Sequence, residues 1–298
     1  MKILLADAGW KMRGGQWQTL YLAEGLREQG HQVTLLLRQG SLLWDLGQRA
    51  SLETRQIGLI TMLACSGRQD IIHVQDSYSH TLAALACRQP FFVSRRVAFP
   101  VKPSWASRKK YARAAGFLAV SQAAARELKR AGVSDEKIRV VFDGVPDIEP
   151  SRNASHVAGL KSEDPGKMNI LMQQSCHLAQ TDLILGENLP ESLKSGMLFL
   201  YLSQSEGLGS AALLAMAAGM PVVVSRVGGL PEAIDHGFSG LVVPNKKEEV
   251  AQAIAAIRDD RNLALRLSEN ARRRYLKHFT LDHMISNTLI AYKELYYA

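Results

Sequence analysis

A glycine-containing loop and the helix behind it are the part of this 298-residue sequence best suited to hold an anion. The run from Leu198 to Leu202 is short and apolar, as a buried strand is, and the loop Glu206-Gly207-Leu208-Gly209-Ser210 follows it. The segment from Ala211 to Ala218 then predicts an apolar helix, which Gly219 and Pro221 end. Backbone N–H groups at a helix start are unpaired and positively polarised, so this loop is a candidate phosphate site. The alternative is that its two glycines only make a tight turn.

A second glycine pair follows the next strand. Val222 to Val224 is β-branched and short, which is typical of a buried parallel strand. Gly228 and Gly229 come soon after it, and they let the backbone approach a neighbour closely before Pro231 opens another helix. The helix that Gly207 and Gly209 open is expected to face the carboxyl edge of a parallel sheet, and Arg226 is one of the cations that could meet phosphate charge.

The N-terminus contains a third loop of this kind. The strand from Lys2 to Ala6 is followed by Arg13 and by Gly14-Gly15, which opens a helix. Arg13 is a candidate partner for a phosphate, and Gln16 and Gln18 are candidate donors to sugar hydroxyl groups. The plainer interpretation is an ordinary turn before a helix.

Polar residues also end two further strands of the first half. Gln75 and Asp76 follow the strand from Asp70 to Val74, and His80 lies at the start of the next helix. Arg95-Arg96 ends another strand and is suited to a phosphate or carboxylate contact. The alternatives are a helix cap for Asp76, no ligand contact for His80 and a solvated pair for the arginines.

Repeated strand and helix patterns must position these residues. Such repeated units predict an α/β protein with parallel, doubly wound sheets. Residues 147–168 are polar and rich in Ser, Pro and Gly, which indicates a linker or a loosely held boundary between two halves. We expect the second half to begin with a strand at Ile170-Leu171-Met172 and to end with a helix over about 282–297.

Together these motifs resemble the family-4 glycosyltransferases of the GT-B fold. The resemblance rests on the first glycine loop, on Glu206-Gly207-Leu208-Gly209, on Gly219-Met220-Pro221-Val222 and on Gly228-Gly229-Leu230-Pro231-Glu232 at this spacing. It implies two Rossmann-like domains that face each other across a cleft. Residues 1–146 would form the acceptor-side domain, and residues 147–298 a shortened donor-side domain whose last helix packs back on the first.

The same resemblance implies an activity and a set of site residues. The enzyme would transfer a sugar from a nucleotide-sugar to a glycan or a lipid-linked acceptor, with retention, without a metal and without a cofactor. Glu206 would be the catalytic residue that holds the donor. The donor-binding residues would be Gly207, Leu208, Gly209, Ser210, Arg226, Gly228 and Gly229. The acceptor and phosphate side would consist of Arg13, Gly14, Gly15, Gln16, Gln75, Asp76, His80, Arg95 and Arg96.

Three departures from the family pattern leave other functions open. Gln75 stands where the family has a histidine that points into the cleft, and a glutamine cannot act as a general base. Leu214 stands where the family has a second glutamate. No Arg or Lys follows Ile170-Leu171-Met172, where the family neutralises the diphosphate. The alternatives are a catalytically inactive GT-B protein that binds a nucleotide or sugar, a partner subunit, and a sugar-nucleotide epimerase of the same fold.

Charge and composition restrict the partners. Residues 1–146 hold 21 of the 36 Lys and Arg residues but only 11 of the 28 Asp and Glu residues. The excess is compatible with an anionic membrane surface or an anionic substrate, and with a merely solvated face. Aromatic residues do not alternate with the basic ones in the manner of a nucleic-acid-binding motif, so no nucleic-acid partner is expected. Three scattered cysteines suit a reducing compartment. We therefore expect a cytoplasmic protein, with peripheral attachment to the inner membrane face as a further possibility.

Overall fold

Strands and helices alternate through the chain, as the apolar runs predict. The computed structural model describes residues 1–101, 104–149 and 155–296. The elements of the first half are β1 (Lys2–Asp7), α1 (Gly14–Glu28), β2 (Gln32–Leu37), α2 (Leu42–Arg49), β3 (Glu53–Gln56), α3 (Leu59–Ser66), β4 (Ile71–Val74), α4 (Ser77–Ala86), β5 (Phe92–Arg95), α5 (Trp105–Arg113), β6 (Gly116–Ala119), α6 (Gln122–Arg130) and β7 (Ile138–Val140). Those of the second half are β8 (Val157–Leu160), α7 (Asn169–Leu178), β9 (Leu183–Gly186), α8 (Leu189–Ser192), β10 (Leu198–Tyr201), α9 (Ser210–Ala217), β11 (Val222–Ser225), α10 (Leu230–Ala233), β12 (Leu241–Val243), α11 (Lys247–Asp259), α12 (Arg261–His278) and α13 (Leu281–Tyr296).

The strands form two parallel sheets, which confirms the predicted fold class. One sheet has seven strands in the order β3-β2-β1-β4-β5-β6-β7, and the other has five in the order β12-β11-β10-β8-β9. Helices cover the faces of such sheets, so the central strands are apolar on both sides. In the first sheet β1 has β2 on one side and β4 on the other. The order in which successive strands are added to the sheet therefore reverses at β1. Ligands of open α/β sheets bind at such a switch point.

The chain divides into two structural units. Unit 1 contains Met1–Gly144 together with Leu281–Ala298, and unit 2 contains Val145–Thr280. Helix α13 thus belongs to unit 1, where it packs on α1. A Cβ atom added to Gly25 of α1 would lie 1.9 Å from the Ile285 side chain, so this glycine lets the two helices approach closely. Tyr297, at the end of the predicted final helix, lies outside the described residues.

The predicted start of the second half is wrong in two respects. The segment from Ile170 to Met172 is not a strand but part of α7, in which Met172 and Cys176 are buried and Ile170 is exposed. Burial at four-residue spacing is the helical pattern. The first strand of unit 2 is β8, which lies inside the polar segment predicted to be a linker and pairs with both β10 and β9. Its alanine and glycine make it weakly apolar, and a Cβ atom added to Gly159 would lie 2.8 Å from a terminal methyl group of Leu185.

Candidate functional site

In unit 2, Glu206 lies in a compact cluster with Lys167 and Tyr201. Its carboxylate accepts hydrogen bonds from the Lys167 ammonium and, at 2.8 Å, from the Tyr201 hydroxyl. The Lys167 Nζ atom also donates to the Tyr201 oxygen at 2.6 Å. The side chains of Lys167 and Glu206 are 22% and 17% exposed, so the pair is reachable but largely shielded from solvent screening. Burial and the neighbouring carboxylate raise the pKa of Tyr201, which therefore stays a neutral hydrogen-bond donor.

Lys167 is a site residue that the sequence analysis missed. It ends a short 3₁₀ turn, Pro165–Lys167, that follows β8, the true first strand of unit 2. The turn is fixed by Asp164, whose carboxylate accepts the Gly166 N–H at 2.9 Å, and by the Gln204 N–H, which donates to the Gly166 carbonyl at 2.8 Å. The statement that no lysine follows the first strand of this half is therefore wrong. It followed directly from placing that strand at Ile170.

The second glycine pair packs directly beneath the Glu206 backbone. The Gly229 N–H donates to the Glu206 carbonyl at 3.0 Å. Gly228 has φ +53°, and a Cβ atom at this position would lie 1.9 Å from the same carbonyl oxygen. Gly209 has φ +99° immediately before α9, a conformation that favours glycine. One glycine of each loop, Gly209 and Gly228, is therefore favoured by its backbone conformation, and Gly228 packs against the Glu206 carbonyl.

Two polar side chains, those of Ser225 and Asn245, join the strand ends around this cluster through the backbone of Ser203. The Ser203 N–H donates to the Ser225 hydroxyl at 2.8 Å, and that hydroxyl donates to the Asn245 amide oxygen at 2.5 Å. The Asn245 amide nitrogen donates back to the Ser203 carbonyl at 2.9 Å. Because Ser203 follows β10, Ser225 ends β11 and Asn245 follows β12, these hydrogen bonds connect the carboxyl ends of three adjacent strands. Arg226 is exposed, and its guanidinium lies 3.4 Å from the Val242 carbonyl oxygen rather than beside Glu206.

In unit 1, the first glycine loop is organised around Asp7. This buried carboxylate accepts hydrogen bonds from the Gly9 N–H at 2.8 Å, the Gln16 amide at 3.0 Å and the Thr19 hydroxyl at 2.8 Å. Burial is the main cause that raises the pKa of Asp7. Gln16 is therefore engaged with the loop itself. Gln18 is fully buried and donates to the Gly144 carbonyl at 2.8 Å, so it does not face a ligand.

The other residues of this loop remain open. Arg13 is exposed and precedes α1 without capping it. A Cβ atom added to Gly15 meets no atom within 4 Å, so the backbone at this glycine faces free space. Gly14 is likewise exposed at the helix start. A ligand can approach this turn without displacing a side chain.

Asp76 is a helix cap, as its alternative interpretation stated. One carboxylate oxygen accepts the Tyr78 and Ser79 N–H groups of α4, at 2.7 and 3.1 Å. The other oxygen accepts the Ala8 N–H at 2.7 Å. Asp76 thereby connects the loop after β1 to the start of α4.

Gln75 and Arg96 belong to a buried polar chain in unit 1. The Gln75 amide oxygen accepts hydrogen bonds from Arg96 at 2.5 Å and from Ser94 at 2.9 Å. Arg96 also forms an ion pair with Asp143 at 3.1 Å. The Ser94 hydroxyl contacts His73, whose other ring nitrogen lies 2.7 Å from the hydroxyl of the buried Tyr292 on α13. This series of hydrogen bonds runs from the partly buried Arg96 to Tyr292 in the core, and each member is held by its neighbours.

Arg95 and His80 lie elsewhere. Side chains alternate along a strand, so Arg95 points away from Arg96; it donates to the Phe99 carbonyl and stacks over the Phe99 ring. His80 is 2% exposed, contacts the Lys110 carbonyl at 3.2 Å and packs among Phe91, Tyr111 and Phe117. The structure brings together Gln75 with Arg96 and Asp76 with the first glycine loop, but it does not bring His80 or Arg95 to them.

The burial of His80 leads to a testable dependence of stability on pH. Burial lowers the pKa of His80 to about 3, against about 6.5 in an unfolded chain. Between these values the unfolded state binds the extra proton, so the free energy of unfolding decreases as pH falls below about 6.5, by at most about 1.4 kcal/mol per pH unit for this group. We expect His80→Phe to reduce that slope in urea titrations between pH 6.5 and 4.5. The exposed His177→Gln variant serves as control, and an unchanged slope in His80→Phe would contradict the assignment.

Comparisons with known proteins show the family to which the chain belongs. The sequence model of the glycosyl transferases group 1 family matches residues 120–274, which is more than half of the chain. The model of glycosyltransferase family 4 matches residues 12–147. The chain therefore belongs to the group 1 glycosyltransferases. This confirms the family that the sequence motifs predicted.

Curated relatives resemble part of the chain. The N-acetyl-alpha-D-glucosaminyl L-malate synthase of Bacillus anthracis is 34% identical over 128 residues, 42% of this chain and 32% of that protein. The D-inositol 3-phosphate glycosyltransferase of Jonesia denitrificans is 36% identical over 92 residues, 30% of this chain and 22% of that protein. The matched part thus spans about a third or less of these relatives' length.

Solved structures resemble the whole chain. HepE of Anabaena, solved with UDP and glucose, superposes with a TM-score of 0.87 at 17% identity, over 98% of this chain and 99% of that one. Sucrose-phosphate synthase of Thermosynechococcus elongatus gives 0.78 at 17% identity, over 99% of each chain. At this identity the likeness establishes the fold, which is GT-B.

Proposed function

We propose that the protein is a nucleotide-sugar-dependent glycosyltransferase whose donor binds to unit 2. The observation that carries the proposal is the cluster of Glu206, Lys167 and Tyr201 above two glycine loops of constrained geometry. Membership of the group 1 glycosyltransferases supports it, and so does the UDP in the HepE structure.

The cluster supplies the groups that transfer from a nucleotide-sugar requires. As the donor bond breaks, negative charge develops on the diphosphate, and fixed positive groups lower the barrier. Lys167 is such a cation, and the start of α9 after Gly209 and Ser210 adds a positively polarised helix end. Glu206 is suited to hold hydroxyl groups of the donor. We infer retention of configuration and metal-independent transfer from the family resemblance.

The acceptor side of the proposal rests on unit 1. Gly15 faces free space at the switch point of the seven-stranded sheet, with the exposed Arg13 beside it. We propose that this turn is approached by the acceptor, a glycan or a lipid-linked sugar. Gly14, Gln16 and Asp76 shape the turn. A hydrogen bond to Gln75 orients Arg96, which would contact a phosphate or carboxylate of the ligand.

One observation favours a second candidate function. Gln75 cannot take up a proton, and its amide oxygen is fully used by Ser94 and Arg96. That arrangement is consistent with a protein that binds the nucleotide-sugar but transfers the sugar only together with a partner subunit. Nucleotide binding without turnover by the isolated chain would support it.

The test combines binding and turnover. Thermal shifts with UDP, GDP, ADP and their sugar conjugates should show stabilisation by one nucleotide family, in proportion to RT ln(1 + [L]/Kd). Hydrolysis or transfer is then measured with the bound donor. Glu206→Ala should lose the turnover, whereas Gly15→Ala should keep the thermal stability and the nucleotide shift but lose transfer to an acceptor. No shift with any nucleotide would contradict the proposal.

Unit 1 also presents a basic surface that we propose as a membrane contact. Helix α5 has no buried residue; Trp105 is 72% exposed and Lys109 lies 4.0 Å from its ring centre. Arg108 lies on the same helix and is exposed, and Phe99, which precedes the helix in the sequence, is 54% exposed. Exposed aromatic and basic residues together suit an interface with anionic lipid. No helix in the described ranges is both long and apolar enough to span a bilayer.

Vesicle sedimentation measures this contact. We expect binding to vesicles with anionic lipid and much weaker binding to neutral ones, with loss at high salt. Each basic residue near such a surface contributes about 1 kcal/mol, so Arg108→Gln/Lys109→Gln should weaken binding by about 30-fold. Arg261→Gln/Arg266→Gln removes the same charge from unit 2 and should have little effect. Equal losses in both variants would mean that only net charge matters.

A further inference from the structure

Two exposed aromatic rings hold an arginine between them at the switch point of unit 1. The Arg38 guanidinium lies 5.2 Å from the ring centre of Trp10 and 4.9 Å from that of Tyr78. Trp10 is 61% exposed and Tyr78 46% exposed. Large aromatic side chains cost free energy when they face water, so two of them around one cation need an explanation.

The three residues come from three adjacent strands and are fixed by the backbone. Arg38 follows β2, Trp10 belongs to the loop after β1, and Tyr78 is the second residue of α4, which follows β4. The Arg38 Nε donates to the Ala8 carbonyl at 2.6 Å, while the Ala8 N–H donates to Asp76 at 2.7 Å. The same Asp76 carboxylate accepts the Tyr78 N–H. Ala8 and Asp76 thus connect the Arg38 side chain to the Tyr78 backbone, and Trp10 lies two residues after Ala8 in the same loop.

The chemistry of this arrangement selects a ligand class. Apart from Nε, the guanidinium nitrogens of Arg38 have no hydrogen-bond partner among the residues that the structure describes. A planar guanidinium with two free nitrogens pairs well with a carboxylate or a phosphate. The negatively polarised faces of Trp10 and Tyr78 attract C–H bonds such as those of a pyranose ring.

We propose that Trp10, Arg38 and Tyr78 form a binding site for a saccharide that carries an anionic group, and that this saccharide is the acceptor. The sugar ring lies on an aromatic face and its anionic group pairs with Arg38. The identity of this saccharide as acceptor rests on the proposed transferase function, whereas its binding does not. The exposed Arg13 of the neighbouring loop adds positive charge at the same edge.

Titration of the full chain with matched disaccharides tests the site. Cellobiose is compared with cellobiouronic acid, which differs by a carboxylate, and glucose with glucose 6-phosphate; binding is followed by calorimetry. We expect at least one anionic sugar to bind about tenfold more tightly than its neutral partner. Arg38→Met should remove that preference, and Trp10→Ala should weaken both members of the pair. Arg126→Met and Phe238→Ala, an exposed arginine and an exposed aromatic residue elsewhere, should bind as the wild type does.

The outcomes separate this inference from the proposed function. Equal affinity for anionic and neutral sugars, no binding of either, or equal effects of the control variants would overturn the inference. UDP, GDP and ADP binding is measured on the same samples. If nucleotide binds but no saccharide does, only the inferred saccharide site is overturned. If saccharide binds but no nucleotide does, the saccharide site still holds and the proposed transferase function is contradicted. A loss of nucleotide binding in Trp10→Ala would mean that the rings hold a nucleobase, which also overturns the inference.

Discussion

Replacement of Lys167 by methionine is expected to lower turnover with a nucleotide-sugar by about 100-fold or more. Loss of a fixed positive group opposite a developing charge typically costs about 3 kcal/mol of barrier. Lys167 is the cation that contacts Glu206, and it lies on a turn that backbone hydrogen bonds hold in place. Methionine is unbranched and only one atom shorter than lysine, so packing against Tyr201 is largely maintained. The measurement is kcat/KM with the donor found by the thermal shifts.

Lys161 provides the matched control. It lies on the same segment after β8, but its side chain is 60% exposed and pairs with Glu187. Lys161→Met removes the same charge and should keep turnover within about twofold, since exposed ion pairs contribute little. Two results would contradict the role of Lys167: equal losses in both variants, or a Lys167→Met variant with wild-type kcat/KM.

Replacement of Gly228 by alanine is expected to abolish donor binding and to destabilise unit 2. A Cβ atom would lie 1.9 Å from the Glu206 carbonyl oxygen, and the residue has φ +53°. Since the nearest atom is backbone, the clash is relieved only by moving the Glu206 loop. Strain at such a φ and local overpacking each cost about 1–3 kcal/mol. The free energy of unfolding from urea titration and the nucleotide-induced thermal shift measure the two effects.

Gly237 separates the clash from the strain. It also has a positive φ, +76°, but a Cβ atom there meets nothing within 4 Å. Gly237→Ala should therefore show only the conformational cost, about 1–2 kcal/mol, and keep the nucleotide shift. If Gly228→Ala and Gly237→Ala behaved alike, the close packing beneath Glu206 would not matter for donor binding.

Where strands are strongly apolar, the sequence determined the architecture. Val222 to Val224 and Leu198 to Leu202 could be recognised because strands buried on both faces have no room for polar side chains. The Gly209 and Gly228 positions were recognisable because few other residues adopt their backbone conformations. The sequence alone therefore predicts the parallel sheets, the loop that contains Glu206 and the family.

Where local pattern is weak, only the tertiary structure decided. Strand β8 is short and contains Gly159, and it is a strand because β9 and β10 pair with it on both sides. Because the first strand of unit 2 was predicted at Ile170 instead of at β8, Lys167 was not recognised as a site residue. Its partner Glu206 is also distant along the chain. In the same way no local signal joins Trp10, Arg38 and Tyr78. Their proximity depends on which strands are neighbours in the sheet, and the order of strands is set by long-range packing that residue spacing does not encode.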